Sequence, residues 1–130
     1  MVMEEPRRRR ALIIDDSRVA QMILARLIKA SGWDVSEVVG GRQALAYLEH
    51  DQPDAVFVDL LMPEMSGLEF LRELQHRGYR LPVVVLTADA QESTRCACRR
   101  YPIHAFLRKP ARADVISKTL DSIPVATDDQ

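Results

Sequence analysis

The sequence lacks a long hydrophobic run, and this absence sets the first limit on function. Hydrophobic residues make up 47% of the 130 residues, enough for the core of one domain. The apolar stretch Ala11–Ile14 nevertheless stops at Asp15 and Asp16. A membrane span needs about 20 apolar residues and a signal sequence about 7 to 15. We therefore expect a cytoplasmic protein without a membrane partner.

A surplus of charge of one sign is also missing. The chain has 18 Lys and Arg residues against 19 Asp and Glu residues, for a formal net charge of −1. Basic residues are scattered apart from the run Arg7–Arg10. We expect no direct nucleic-acid partner. Residues 1–10 are interpreted as a disordered basic arm and residues 124–130 as a polar tail, on either side of a domain over 11–123.

Cysteine is scarce, with only Cys96 and Cys98. Two residues apart on a helix, these side chains point to nearly opposite sides, so they are not expected to pair. The three histidines are far apart in the sequence, and no zinc-binding spacing appears. We expect two reduced thiols in or near a helix.

Short apolar runs alternate with amphipathic segments along the chain. The runs predict five strands: Ala11–Ile14, Asp34–Val39, Ala55–Val58, Pro82–Thr87 and His104–Leu107. Apolar residues at helical spacing follow: Val19, Met22, Ile23, Leu27 and Ala30, then Leu45 and Leu48, then Leu68, Leu71 and Leu74, and finally Val115, Ile116, Thr119, Leu120 and Ile123. A polar helix is predicted over Gln91–Arg100. Continuous apolar strands are typical of a sheet buried on both faces, so we predict one doubly wound α/β domain with a five-stranded parallel sheet.

Polar residues collect where the predicted strands end. Asp15 and Asp16 follow the first strand and Asp59 the third, Thr87 ends the fourth, and Lys109 follows the fifth. Carboxyl ends of parallel strands meet at one edge of a sheet, which is where ligands bind in such folds. Taken singly, each residue is better explained as a turn former or helix cap, and Asp16 or Ser17 is placed to cap the first helix. Their joint placement favours a functional site.

Three converging carboxylates repel one another unless a cation neutralises them. Oxygen ligands without clustered His or Cys favour Mg²⁺, which keeps water and phosphate oxygens as further ligands. Lys109 and Thr87 then offer an ammonium and a hydroxyl to a phosphoryl group. Asp59, on the central strand, is the candidate nucleophile for forming an acyl phosphate.

The motifs "LIIDDS", "VFVDLLMPEMSGLEF", "VVVLTA" and "FLRKP" resemble those of receiver domains in two-component response regulators, especially the stand-alone chemotaxis type. The resemblance runs from about Ala11 to Ile123 and implies a (βα)5 flavodoxin-like receiver fold. It also implies that Asp59 accepts phosphate from a histidine kinase or histidine phosphotransfer protein. By the same resemblance, Asp16, Asp59 and the Leu61 carbonyl hold Mg²⁺, and Asp15 assists largely through water.

The resemblance further implies that Thr87 and Lys109 contact the phosphoryl group, while the small Ala88 leaves access to it. Phe106 matches a switch position whose ring turns inward as Thr87 moves, although without the resemblance the sequence favours plain core packing for a phenylalanine in a strand. The changing surface is then expected on the fourth helix, fifth strand and fifth helix.

The sequence departs from the family pattern at three places. The segment "RRYPIHAFL" replaces a usual Gly-Ala pair, and Arg95, Arg99, Arg100 and His104 make that face either a basic partner surface or a solvated helix face. Leu61 and Asp89 lie where family members flank the hydrolytic water, and the apolar Leu61 predicts slow self-dephosphorylation. The ending "DSIPVATDDQ" is too short for a DNA-binding module, so either a downstream protein target or a fused effector domain is expected.

Three other functions are alternatives to that of a phosphoacceptor. A haloacid-dehalogenase-like phosphatase also uses an Asp nucleophile, but it needs a second acid where Leu61 stands. A receiver-like binding module without phosphorylation has no support, since all five polar positions are present. A flavin-binding protein is disfavoured by the acidic "DDSRVAQ" loop. We therefore expect no enzymatic activity beyond Mg²⁺-dependent self-phosphorylation from a donor and self-dephosphorylation.

Overall fold

Five strands and five helices alternate along the part of the chain that the structure describes. The computed structural model describes residues 8–89 and 91–125. The strands are β1 Arg10–Ile14, β2 Asp34–Val38, β3 Ala55–Val58, β4 Val83–Thr87 and β5 Ala105–Arg108. The helices are α1 Arg18–Ala30, α2 Gly41–Leu48, α3 Gly67–His76, α4 Glu92–Cys98 and α5 Ala113–Ser122.

The sheet is entirely parallel, with strand order β2-β1-β3-β4-β5. The chain winds outward from β1 in one direction to β2 and in the other to β3, β4 and β5. The switch between the two directions lies between β1 and β3, where doubly wound sheets place their ligand site. The predicted α/β fold and the predicted strand count are confirmed.

Two apolar clusters cover the two faces of the sheet. Alternate residues of β1 and β3 supply them, because successive side chains of a strand point to opposite faces. Leu12 and Val56 pack with α2 and α3 on one face, and Cys98 of α4 joins this cluster. Ile13 and Phe57 pack with α1 and α5 on the other face. The central strands are thus buried on both sides, which makes the positions at their ends rigid.

The inward face of α1 differs from the one that the apolar spacing predicts. Val19, Met22 and Ile23 are about half exposed or more, whereas the buried stripe is Gln21, Leu24, Ala25 and Ile28. Apolar residues surround most of this helix, so periodicity alone does not select a face. Gln21 turns inward because its side-chain Nε2 donates to the Val38 carbonyl at 2.7 Å.

The other differences concern element ends. Four strand ends move by one residue, at Arg10, Val38, Val83 and Ala105, and β5 extends to Arg108. The helix predicted over Gln91–Arg100 is shorter, Glu92–Cys98. Strand ends are set by the pairing of neighbouring backbones, which local composition does not specify. None of these changes moves a site residue off the edge that the sequence predicts.

The arginines that lead into β1 make defined contacts, which differs from the prediction of a disordered arm through Arg10. Arg9 donates to the Ile123 carbonyl at 2.9 Å, and its guanidinium carbon lies 4.5 Å from the centre of the Trp33 ring. Arg10 pairs with Asp51 at 2.9 Å. These contacts tie the start of β1 to the end of α5 and to the segment before β2. The rest of the predicted arm, residues 1–7, and residues 126–130 of the predicted tail lie outside the described residues.

Within residues 8–89 and 91–125, no helix combines the length and apolar character that crossing a membrane requires.

The two cysteines lie in α4. Both are free, and Cys96 is exposed whereas Cys98 is buried. The expectation that the two thiols do not pair is confirmed.

Candidate functional site: an acidic cluster at the carboxyl edge of the sheet

Three carboxylates meet where β1 and β3 end. One oxygen from each of Asp15, Asp16 and Asp59 lies within 4.8 Å of the others. The backbone N–H of Asp59 donates to the Ile14 carbonyl at 3.1 Å, so the pairing of β1 with β3 continues to the first residue after the strand. Asp15 and Asp59 are buried, whereas Asp16 is exposed.

Lys109 joins two of these carboxylates. Its ammonium Nζ donates to Asp15 Oδ2 and to Asp59 Oδ2, each at 2.8 Å. The strand register carries the lysine there, because the Lys109 N–H donates to the carbonyl of Thr87 at the end of β4. The sequence predicts Lys109 at this edge, but its contact with Asp15 as well as Asp59 is visible only in three dimensions.

Lys109 keeps its charge at this site. Burial lowers the pKa of its ammonium, but the hydrogen bonds and charges of Asp15 and Asp59 outweigh burial and hold the pKa above its ordinary value. The ammonium therefore stays protonated at neutral pH. It compensates one of three negative charges, so the four side chains together carry a net charge of −2.

The loop from Leu60 to Gly67 fixes the Asp59 carboxylate. The Leu61 N–H donates to Asp59 Oδ1 at 3.1 Å. Gly67, which opens α3, comes so close to this loop that an added Cβ would lie 2.6 Å from the Asp59 carbonyl oxygen and 2.6 Å from Leu60 Cα. Ser66 and Glu69 form a reciprocal capping box at the start of α3. The motif "MPEMSG" thus sets the turn that holds the acid in place.

Asp15 is held in a similar way. Its Oδ1 accepts the Ser17 N–H at 2.9 Å, and Ser17 in turn caps α1 by accepting the Ala20 N–H at 3.2 Å. The sequence offers Asp16 and Ser17 as caps of the first helix, and Ser17 is the residue that caps α1. Both oxygens of Asp15 are therefore occupied, whereas Asp16 projects into solvent.

Thr87 is fully buried at the end of β4. Its Oγ1 accepts the backbone N–H of Asp89 at 3.2 Å. Ala88, between them, is exposed. The Asp89 carboxylate turns toward α4, where Oδ1 accepts the Gln91 N–H at 3.0 Å and Oδ2 accepts the Thr94 hydroxyl at 2.8 Å. The contact with Thr94 was not anticipated, since a single sequence offers no signal for it.

Phe106 lies in β5, an edge strand, and packs against the cluster that contains Leu12 and Val56. It is only partly buried. The guanidinium carbon of Arg95, in α4, lies 5.6 Å from the centre of its ring. Among the basic residues near α4 and β5, Arg95 therefore makes a specific contact with an aromatic ring.

An apolar groove of about 480 Å³ opens beside the acidic cluster. Its walls come from the start of α1 and from the segments after β4 and β5. The lining includes Asp15, Ser17, Val19, Ala20, Ile23, Leu86, Ala88, Lys109, Pro110 and Ala111. Two of the exposed apolar residues of α1, Val19 and Ile23, therefore border the site. The sequence signal for such a surface is that α1 has more apolar residues than one buried stripe requires.

The donor set suits a divalent cation. Three carboxylate oxygens lie close together, and one of the three side chains, Asp16, faces solvent. A hard cation such as Mg²⁺ takes one or two carboxylates and keeps several waters. The formal net charge of −2 attracts a divalent cation to this cluster. Together these properties fit Mg²⁺ better than Zn²⁺, which prefers His and Cys.

The family follows from comparison with known proteins. Residues 11–121 match the model of the response regulator receiver domain. The chain belongs to this family. The resemblance seen in the motifs is thereby confirmed, and receivers act in two-component signalling.

Curated relatives are longer proteins that contain a receiver. The chain is 40% identical over 122 residues to the sensory/regulatory protein RpfC of Xanthomonas campestris pv. campestris, covering 91% of the chain and 17% of RpfC. It is 39% identical over 101 residues to the response regulator MprA of Mycolicibacterium vanbaalenii, covering 78% of the chain and 44% of MprA. The receiver thus spans less than half the length of these two relatives.

Solved structures agree on the fold. The chemotaxis response regulator CheY4 of Vibrio cholerae superposes with a TM-score of 0.79 at 24% identity, over 91% of this chain and all of that one. A receiver protein from Pseudomonas putida gives a TM-score of 0.84 at 23% identity, over 90% and 98% of the two chains. The doubly wound receiver fold is therefore shared.

Proposed function

We propose that this receiver is a phosphoacceptor and that Asp59 takes a phosphoryl group from a phosphohistidine on a histidine kinase or histidine phosphotransfer protein. The observation that carries the proposal is the double contact of Lys109 Nζ with Asp15 and Asp59 at 2.8 Å, inside a cluster of three carboxylates. This arrangement holds one nucleophilic carboxylate rigidly and provides a positive charge for an incoming anion.

The reaction needs little covalent chemistry from the protein. A carboxylate oxygen of Asp59 attacks phosphorus, the P–N bond of the phosphohistidine breaks, and the imidazole leaves with the bonding electrons. Lys109 then pairs with a phosphoryl oxygen, and the Leu61 N–H continues to fix the second oxygen of Asp59. The Thr87 hydroxyl supplies a further donor to the phosphoryl group.

The metal site proposed for this step consists of Asp16, Asp59 and the Leu61 carbonyl, with Asp15 assisting through water. Bound Mg²⁺ would neutralise negative charge as the phosphoryl group approaches the carboxylates. Asp16 is the carboxylate best placed to exchange water for metal, because it is exposed and Asp15 is already occupied by Ser17 and Lys109.

A protein donor fits the surroundings of the cluster. The groove beside Asp15 and Lys109 is lined by apolar residues of α1, and Val19 and Ile23 at its wall are exposed. An apolar groove of this kind suits the apolar face of a helix, and a helix of the donor bound there would bring its histidine to Asp59. Kinases phosphorylate their histidine from ATP, so the reaction belongs in the cytoplasm. The output is a downstream protein or a fused effector domain that senses the changes at Thr87 and Phe106.

Leu61 supports a long-lived phosphoryl group. The residue is 56% exposed, and its side chain has no polar atom to orient water. We expect phospho-Asp59 to persist well beyond seconds in Mg²⁺ buffer, and a half-life of only seconds would contradict this expectation.

The test is phosphorylation by acetyl phosphate and Mg²⁺, followed by intact mass. We expect one phosphoryl adduct that hydroxylamine removes, as it does an acyl phosphate. The adduct should be absent from Asp59→Asn and absent when EDTA removes the metal. Asp54→Asn, which changes an acid at the opposite edge of the sheet, is the matched control and should be phosphorylated normally. An equal adduct on wild type and Asp59→Asn would overturn the assignment.

A further inference from the structure

The carboxylate of Asp89 is tied to α4 although its backbone contacts the site. Its N–H donates to Thr87 Oγ1 at 3.2 Å, while its two carboxylate oxygens accept the Gln91 N–H and the Thr94 hydroxyl. One residue thus connects the buried hydroxyl at the end of β4 to the first turn of α4. The Thr94 bond is the shorter of the two carboxylate contacts, at 2.8 Å against 3.0 Å.

The charge of Asp89, held on the α4 side by these hydrogen bonds, also acts on a residue of that helix. Burial raises the pKa of the Cys98 thiol, and the negative charge of Asp89 raises it further. Cys98 is fully buried at the end of α4. The effect follows from the position in which the Gln91 and Thr94 hydrogen bonds hold the carboxylate.

A released Asp89 carboxylate would change the chemistry at Asp59. The Cβ of Asp89 is two bonds away from the nitrogen that contacts Thr87, so a freed carboxylate stays close to that hydroxyl. Thr87 is the residue proposed to bind the phosphoryl group. A free carboxylate beside an acyl phosphate acts as a general base toward water, and general bases accelerate such steps about 10²-fold to 10⁴-fold.

We propose that Thr94 is a positioning residue that prolongs the life of phospho-Asp59 by holding the Asp89 carboxylate away from the hydrolytic water. This inference rests on the proposed phosphoacceptor function. Thr94 touches neither the phosphoryl group nor the metal ligands. It acts through Asp89, and its effect is on the loss of phosphate rather than on its uptake.

The step that Thr94 restrains is hydrolysis of the acyl phosphate. A water oxygen attacks phosphorus, the bond from phosphorus to the Asp59 oxygen breaks, and Asp59 leaves as a carboxylate with the bonding electrons. The water loses a proton to the Asp89 carboxylate when that carboxylate is free, and the proton passes on to solvent. With Thr94 in place, both oxygens of this carboxylate are engaged, Oδ1 by Gln91 and Oδ2 by Thr94, and Leu61 offers no substitute base. Without the Thr94 hydroxyl, Oδ2 is the oxygen free to accept the proton.

The experiment measures the half-life of phospho-Asp59 by intact mass after acetyl phosphate is removed, in Mg²⁺ buffer. Thr94→Val keeps the shape of the side chain and removes the donor, and we expect it to shorten the half-life by about tenfold or more. Thr94→Ser restores the hydroxyl and should restore the half-life. The double variant Asp89→Asn with Thr94→Val should be as long-lived as Asp89→Asn alone, because the released side chain is no longer a base.

A purely structural role of Thr94 gives a different pattern. Losing a helix-start contact would lower the midpoint of thermal unfolding in Thr94→Val and in Asp89→Asn without shortening the half-life. An unchanged half-life in Thr94→Val, or a double variant as short-lived as Thr94→Val, overturns the inference while Asp59 remains the acceptor. A wild-type chain that takes up no phosphoryl group overturns the proposed function instead, and the inference with it.

Discussion

The guanidinium carbon of Arg95 lies 5.6 Å from the centre of the Phe106 ring, so α4 and β5 are joined by a cation–π contact. Arg95 directly follows Thr94, which holds Asp89. Two adjacent residues of α4 therefore contact the two regions proposed to change on phosphorylation. We expect the inward turn of the Phe106 ring to break this contact, and a contact made only in the unphosphorylated state favours that state.

Removing this contact is predicted to favour the phosphorylated conformation. A cation–π contact at an exposed position contributes about 0.5–1 kcal/mol, which corresponds to a factor of about 2 to 5 in an equilibrium constant. Arg95→Ala should therefore bind beryllium fluoride with Mg²⁺ about 2 to 5 times more tightly than wild type, as measured by titration of amide spectra. Arg99→Ala, one turn further along α4, is the control. Equal affinities for wild type and Arg95→Ala would mean that the contact does not restrain Phe106.

Asp16→Asn is predicted to have opposite effects with and without metal. Without metal, it removes one of three mutually repelling carboxylates and should raise the free energy of unfolding by about 0.5 kcal/mol, typical for an exposed charge. With Mg²⁺, it should weaken binding by at least about tenfold, since even outer-shell changes cost that much. Thermal unfolding and calorimetric Mg²⁺ titration measure the two effects. Asp114→Asn, which changes an exposed acid at the start of α5, should leave the Mg²⁺ affinity unchanged, and a normal Mg²⁺ affinity in Asp16→Asn would remove Asp16 from the ligand set.

Gly67→Ala is predicted to destabilise the fold and displace Asp59. The new Cβ would meet backbone atoms at 2.6 Å, and backbone cannot yield as a side chain does. Overpacking of this kind costs about 1–3 kcal/mol, which urea denaturation measures. Gly41→Ala provides the comparison, because its Cβ would meet only the flexible Met65 side chain. A Gly67→Ala chain as stable as Gly41→Ala would show that the loop has room to adjust.

The two cysteines are predicted to react in sequence. Cys96 is exposed and Cys98 is fully buried, and burial, helped by the charge of Asp89, raises the pKa of the Cys98 thiol. Iodoacetamide at pH 8 should give one adduct on the native chain, at Cys96, and two on the chain in urea. Peptide mapping identifies the labelled site, and early labelling of Cys98 would mean that α4 opens readily.

The raised pKa of Cys98 also makes the stability of the fold depend on pH. Because the folded state favours the neutral thiol, the contribution of Cys98 to the free energy of unfolding is full below the ordinary thiol pKa. This contribution declines as the pH rises through the pKa of Cys98 in the folded state.

The acidic site could be predicted from sequence because it depends on strand ends. Parallel strands of similar length bring their carboxyl ends together. A parallel sheet of the five predicted strands therefore places Asp15, Asp59 and Lys109 at the same edge. The contacts of Asp89 and Arg95 could not be predicted in this way. They depend on the exact start and rotation of α4, a short polar helix with no apolar periodicity to fix its position.

The face of α1 shows a second limit. A helix that is apolar on most sides does not reveal which side is buried. In α1, two contacts determine the buried face. The Gln21 amide donates to the Val38 carbonyl, and Leu24 and Ile28 pack against β1 and β3. Val19 and Ile23, which stay exposed, line the groove beside Asp15.

The stacking of Arg9 on Trp33 has a practical consequence. Trp33 is the one tryptophan of the chain, and it precedes β2 at the amino edge of the sheet, whereas Asp59 follows β3 at the carboxyl edge. Its emission should therefore stay constant while the acid is modified and change only when β1, β2 and α5 separate. The protein thus carries an intrinsic optical reporter of unfolding that is separate from its chemistry.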